Sequence, residues 1–205
     1  EGTRTKSSLT LQLSHDTRDS FFIPTRGDRT SLSGTLAGGP LGAETDLYLL
    51  EARSALHFPL WFGHVFSLRG RMSVVEEYGD SDRVPIFDRL FLGGARTVRG
   101  FDYRDVGPRD EDGEPVGGRS LAFASAEYTV PVVEKVRAAG FYDAGMVWEE
   151  AYTFEVSERN SSVGVGVRLD IPGFPLRLDY AWPLEADEFN DQPSGRFSFL
   201  IGYLY

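Results

Sequence analysis

Arg96 and Arg99 lie in the stretch Leu92-Gly93-Gly94-Ala95-Arg96-Thr97-Val98-Arg99-Gly100-Phe101, inside a connection that runs over residues 76–118. Most connections between strands are far shorter. Three glycines let the backbone take turns closed to other residues. A guanidinium placed between them is a planar fork of donors matched to carboxylates. Such chemistry anchors a segment and breaks no covalent bond. On residue type alone Arg99 reads as a solvated loop residue, so an anchoring role requires a carboxylate that it can reach.

Bond-making chemistry has little support. His15, His57 and His64 are the only histidines. They are scattered on or near strands and read as lumen or interface residues, not as metal ligands. Ser-x-x-Lys, HExxH and P-loop patterns are absent. Gly164-Val165-Gly166 reads as close packing inside a strand, not as a phosphate cradle. The acidic run Glu76-Glu77-Tyr78-Gly79-Asp80-Ser81-Asp82 lacks calcium-loop spacing and reads as a solvated external segment. No enzyme activity, cofactor or metal is expected.

The chain has 205 residues, enough for one ordinary domain, and a formal net charge of −10. That charge argues against a nucleic-acid partner. With no cysteine, neither a disulfide framework nor a thiolate metal site can form. No run approaches the roughly 18–20 apolar residues of a membrane helix. A barrel strand, however, needs only about ten alternating residues. Glu1-Gly2-Thr3-Arg4-Thr5-Lys6 has no apolar core of the signal-peptide kind, so the chain reads as a mature or truncated form.

Period-two alternation dominates the elements that must position any anchor. Val163, Val165, Val167, Leu169 and Ile171 alternate with Ser162, Gly164, Gly166, Arg168 and Asp170. Leu176, Leu178, Tyr180 and Trp182 alternate with Arg177, Asp179 and Ala181, and Phe197, Phe199 and Ile201 repeat the pattern near the C-terminus. The pattern predicts about nine strands: 7–16, 28–36, 46–58, 64–75, 119–130, 136–148, 161–171, 176–183 and 195–205. Many run about ten residues, longer than the five or six usual in soluble sheets. Short connections at 59–63, 131–135 and 172–175 alternate with longer ones at 37–45, 76–118, 149–160 and 184–194. An antiparallel barrel would gather the longer loops at one end, as outer-membrane barrels do; 16–27 breaks the rule, being long on the short-turn side. Periodicity does not say which face points outward. A soluble sandwich or lipocalin-like barrel stays open on that ground.

Several motifs occur together and in order. Val98-Arg99-Gly100-Phe101 closely resembles the VRGF/Y loop motif of the BamA-type outer-membrane assembly family. Phe141-Tyr142-Asp143-Ala144-Gly145 matches its F-x-D-x-G strand, and Ala124-Ser125-Ala126-Glu127-Tyr128 resembles the preceding strand with its inward glutamate. Asp16-Thr17-Arg18-Asp19 with Phe22-Ile23-Pro24-Thr25-Arg26-Gly27 resembles its D-x-R-D turn. Leu176 to Pro183 resembles the penultimate strand, and Tyr205 the aromatic terminal residue of the assembly signal. The resemblance covers essentially the whole chain but only the C-terminal half of a family barrel, without the POTRA domains that precede it.

The resemblance implies an all-β fold, an antiparallel transmembrane β-barrel of eight or nine strands, or half of one of sixteen. It implies one membrane domain over 1–205 with 76–118 as a long extracellular loop, in a bacterial outer membrane of Gram-negative type. Arg99 is expected to meet Asp143, with Glu127, Phe141 and Gly145 nearby. Phe197, Phe199, Gly202, Tyr203 and Tyr205 are expected to form the seam and C-terminal signal strand. The implied function is insertion and folding of client outer-membrane proteins, with outer-membrane lipid and a second copy of the chain as further partners. The alternatives are a two-partner-secretion-like transport pore and a small structural barrel. Nine strands leave the termini at opposite ends, whereas exported barrels keep both on one side. A closed barrel of eight has an interior just wide enough for side chains. The 76–118 loop therefore lies outside such a barrel, or extra strands or a second chain must widen it.

Overall fold

The computed structural model describes every residue except 1–4, 22, 43–44, 80, 82, 156–158, 172–174, 187–193 and 203–205. Its nine strands are β1 (Ser8–Asp16), β2 (Gly27–Ala37), β3 (Leu47–Pro59), β4 (Val65–Glu77), β5 (Ser120–Val133), β6 (Val136–Trp148), β7 (Asn160–Leu169), β8 (Leu176–Glu185) and β9 (Arg196–Ile201). They form one antiparallel meander in chain order, with β1 and β9 as its two edges. Of the two strand counts that the sequence allows, the structure has nine, and the sheet does not close on itself. Among the described residues there is no α-helix.

Alternation decides what each face becomes. Val163 (39% exposed), Val165 (55%) and Val167 (36%) on β7 point away from the loop-covered side, as do Tyr180 on β8 and Phe199 and Ile201 on β9. Leu9, Leu11 and Leu13 continue this apolar surface on β1. Their neighbours of opposite parity, Arg168, Asp179, Asp143 and Glu127, are buried on the other face. A soluble protein would bury the valine stripe and expose the charges. This sheet does the reverse, and so continuous an apolar outer surface suits contact with lipid.

The inner face is itself divided. Towards the long connections it is apolar: Ala37, Leu47, Val75, Leu121, Phe123 and Val147. Residues 83–119 fold back onto this half, where Val84, Leu90, Leu92, Val98, Phe101 and Val106 complete the core. Leu90 pairs with Gly118 and Leu92 with Val106, so the long connection is an ordered plug. Its margins are tied to the sheet. Lys6, just before β1, pairs with Asp88, and Arg196 of β9 pairs with Asp102. The alternative in which a closed eight-stranded barrel pushes the loop outside does not apply, because the nine-stranded sheet leaves room for the loop on its inner face.

The turn between β1 and β2 is held by its own side chains. Arg18 forks onto Asp16 at 2.9 and 2.8 Å. The Asp19 carboxylate accepts the Thr25 and Arg26 amides at 2.9 and 3.2 Å, as well as the Thr25 hydroxyl. Phe22 of this motif lies outside the described residues. Burial alone would raise the Asp19 pKa, but these hydrogen bonds outweigh it and hold the pKa below its usual value. A lowered folded-state pKa gives stability that is present above the unfolded value, near 3.9, and is lost as pH falls through the folded one. Hydrogen-exchange protection of residues 17–27, corrected for intrinsic rates, should therefore fall below about pH 4. Asp19→Asn should reduce that pH dependence and leave the part carried by the Arg18–Asp16 contacts. Protection that stays flat down to pH 2 would contradict this reading.

Candidate functional site

The site is assembled from a loop and five strands whose registers place inward side chains in rows. Ser67, Glu127, Phe141, Gly164 and Ala181 form one row across β4 to β8. Arg69, Ser125, Asp143 and Ser162 form the next. Gly166 and Asp179 lie side by side one row further towards the short turns.

The loop brings its arginine down onto these rows through a tight turn. The Gly94 amide donates to the Phe101 carbonyl at 3.1 Å, and the Thr97 hydroxyl bridges the Gly93 amide and carbonyl at 2.9 and 3.0 Å. Gly100 has φ +92°, a conformation that favours glycine, and a side chain there would press on Ala181. Val98 and Phe101 flank the arginine in the core, while Arg96 stays exposed.

Arg99 is 1% exposed and Asp143 is fully buried. Arg99 Nε and Nη2 fork onto the two Asp143 oxygens at 2.6 and 2.8 Å, and the Arg99 amide adds a third bond at 3.2 Å. Arg99 Nη1 reaches Glu127 at 2.9 Å and Asp179 at 3.5 Å. Its guanidinium lies 3.3 Å above the centre of the Phe141 ring. Burial by itself pushes the Arg99 pKa down. Asp143, with Glu127 and Asp179 behind it, overrides that and holds it above the ordinary value, so the group stays charged.

The network continues beyond the loop. Arg168 donates to Glu127 at 3.1 and 2.7 Å and to Asp179 at 2.6 Å, and Arg177 donates to Glu127 at 2.7 Å. Three guanidiniums and three carboxylates are thus interlinked on the inner face, most of them buried. Such an arrangement costs desolvation and is held by geometry, which makes it a registry device for the loop. It holds no nucleophile paired with a base. Among the described residues no group of histidine, aspartate and glutamate side chains is arranged to hold a metal ion.

An inner-face ion network that pins a long VRGF loop to a half-barrel of strands is the geometry expected of the family that the motifs resemble. Residues 1–204 match the Omp85 superfamily domain. The chain belongs to the Omp85 superfamily. The outer membrane protein assembly factor BamA of Nitratidesulfovibrio vulgaris is 32% identical over the whole chain. The SAM50-like protein CG7639 of Drosophila melanogaster is 26% identical over 98% of it. This Omp85 domain spans 26% of the length of the first relative and 46% of the second. The crystal structure of BamA from Haemophilus ducreyi lacking POTRA domains 1–3 superposes with a TM-score of 0.78 at 21% identity. It covers 94% of the chain and 42% of that structure.

Of the residues singled out in the sequence, the structure brings together Val98, Arg99, Gly100, Phe101, Glu127, Phe141, Asp143 and Gly145. Gly145 is the floor beneath the loop: a Cβ there would sit 2.8 Å from Leu92 and 3.2 Å from Val98. The residues expected at the seam lie elsewhere. Phe197 and Phe199 point outward from β9, and Gly202 follows that strand with φ +101°. Tyr203 and Tyr205 lie outside the described residues. Sequence reasoning placed Arg168, Arg177 and Asp179 on the charged face but did not join them to Arg99. It also missed Ser125, which accepts from both Arg69 (3.1 Å) and Arg99 (3.4 Å). Their parity was visible; their partners depend on register across strands that are not sequence neighbours.

Gly164 tests this packing. A Cβ there would lie 2.3 Å from the Phe141 ring and 2.5 Å from the Tyr180 carbonyl. Gly164→Ala should destabilise the folded domain by about 1–3 kcal/mol through overpacking, read as a lowered urea midpoint in detergent. Gly140→Ala, on the same sheet with open space around it, serves as the neutral control.

Proposed function

We propose that this chain is a membrane-embedded part of a bacterial outer-membrane protein assembly factor, which inserts and folds client outer-membrane proteins. One observation carries the reading: an apolar outward face backs an inner face on which Arg99, Asp143 and Glu127 lock a long loop. The relatives named as assembly factors support it. The activity requires no covalent chemistry. Its partners are outer-membrane lipid along the apolar face and unfolded client strands at the sheet edges.

The mechanism follows from the edges. β1 and β9 each present unpaired backbone donors and acceptors, which can template an incoming strand. Among the described residues β9 is six residues long and pairs with β8 over that length, and it is read here as the seam edge. The loop reaches this edge through Asp102 and Arg196. Residues 83–119 are read as the extracellular-side plug, and Phe197 and Phe199 as the lipid-facing part of the seam strand.

Reconstitution into liposomes tests this. The chain is inserted and the folding of an added, urea-unfolded client barrel is followed by gel mobility. Client folding faster than in protein-free liposomes supports the proposal; equal rates overturn it. Pairing of the edges with a second copy is read from the mass in detergent, where a dimer supports it and a monomer contradicts it.

A further inference from the structure

Next to the ion network, towards the short turns, the inner face encloses a cavity of about 90 Å³. Arg69, Arg168, Arg177, Glu127 and His57 line it, drawn from β3, β4, β5, β7 and β8, so the sheet curls around it. Ile23 of the first turn and Leu176 form part of an apolar rim.

The charges on this wall do not balance. Glu127 already accepts from Arg99, Arg168 and Arg177, and Arg168 also holds Asp179. Arg69 is different. It is 8% exposed, and its hydrogen bond runs to the Ser125 hydroxyl at 3.1 Å, with the Phe123 ring at 5.8 Å. Among the described residues it has no ion pair with a carboxylate. Register explains why: Ser125, not an acidic residue, stands opposite Arg69, while Glu127 stands opposite Ser67. Among the described residues Glu127, Asp143 and Asp179 are taken up by ion pairs with Arg99, Arg168 and Arg177, which leaves Arg69 without a paired carboxylate. A buried guanidinium without a counter-charge is costly. A water needs roughly 10–15 Å³ on this measure, so the space takes several waters or one small anion.

We propose that this cavity binds a small singly charged oxyanion, a phosphate or carboxylate group, with Arg69 as its principal partner and Arg168 and Arg177 beside it. The guanidinium fork suits two oxygens of such a group. The site shares Glu127, Arg168 and Arg177 with the loop network but is centred on Arg69, and it does not depend on the assembly reading.

The test uses the full 205-residue chain folded in detergent. Inorganic phosphate is titrated at pH 6 against chloride at constant ionic strength, with binding read from the ¹⁵Nε–H resonances of the arginine side chains. The expected result is saturable one-to-one binding that shifts the Arg69 resonance. Arg69→Gln should weaken it by about tenfold or more, the loss of a charge-assisted fork. Arg69→Lys should fall between the two, and it carries the test if Arg69→Gln fails to fold. Acetate that competes with phosphate would support a site for oxyanions generally, and acetate that does not compete would narrow it to phosphate. No saturable phosphate binding by the folded chain, or equal binding in wild type and both variants, would overturn the proposal.

Discussion

Replacing Asp143 with alanine should release the 83–119 loop from the inner face. The variant removes both oxygens of the fork on Arg99 and leaves a guanidinium that is 1% exposed short of its main partner. Breaking a buried pair from one side costs about 3–5 kcal/mol, because the remaining charge is stranded. Glu127, 2.9 Å from Arg99, is shared with Arg168 and Arg177 and cannot make up the loss. Trypsin should then cut at Arg96 or Arg99 in folded protein at a rate well above wild type. Arg99→Lys should also loosen the loop, since an ammonium cannot span both oxygens. The double variant Arg99→Ala with Asp143→Ala should cost less than the two single losses added together, as expected for groups in contact. Unchanged cleavage in Asp143→Ala would remove the anchor from the account.

The second large effect is expected on the opposite face. Val165 is 55% exposed on β7, flanked by Gly140 and Tyr180 on the neighbouring strands. If that face meets hydrocarbon, Val165→Arg should lower folding stability in lipid vesicles by about 2–4 kcal/mol, the cost of arginine near the bilayer midplane. Val165→Leu should be close to neutral. On a soluble protein the same arginine would be an ordinary surface residue, usually within about 0.5 kcal/mol of wild type. Urea titration of folding into vesicles separates the two cases, and a tolerated arginine would contradict the membrane orientation.

These two predictions draw on features that the sequence showed to different extents. The nine strands were legible because alternation of apolar and polar residues reports parity directly. β6 begins and ends where periodicity puts it, at Val136 and Trp148. β4 and β5 run two or three residues beyond the expected ends, to Glu77 and Val133. There the inner face turns apolar or the strand meets a turn, and the alternation fades. The direction of the faces was not legible from periodicity, since the same pattern serves a soluble core or a lipid surface. The buried charges settle it here: Arg168 and Asp179 point to the loop side, and Val165 and Val167 away from it.

The candidate site was legible in part. Arg99 and Asp143 stood out through two motifs, yet nothing in their spacing of 44 residues brings them together; the curl of the sheet and the turn at Gly100 do. Arg168 could not be assigned to Glu127 from the sequence, because β6 lies between their strands and the contact crosses it diagonally. The apolar half of the inner face was hidden for a related reason. Leu47, Val75, Leu121 and Val147 have inward parity, but only the folded loop shows what covers them.

The most direct test of the central claim, that the loop is locked on the inner face by Arg99 and Asp143, is the labelling rate of a single cysteine. The chain has no native cysteine, so the background is clean. Val98 is 0% exposed beside Arg99, whereas Tyr103, five residues on, is 78% exposed. In the folded protein in lipid, Val98→Cys should react with a water-soluble maleimide far more slowly than Tyr103→Cys. Adding Asp143→Ala should bring the two rates together. Rapid labelling of Val98→Cys with Asp143 intact, or slow labelling that Asp143→Ala leaves unchanged, would contradict the account.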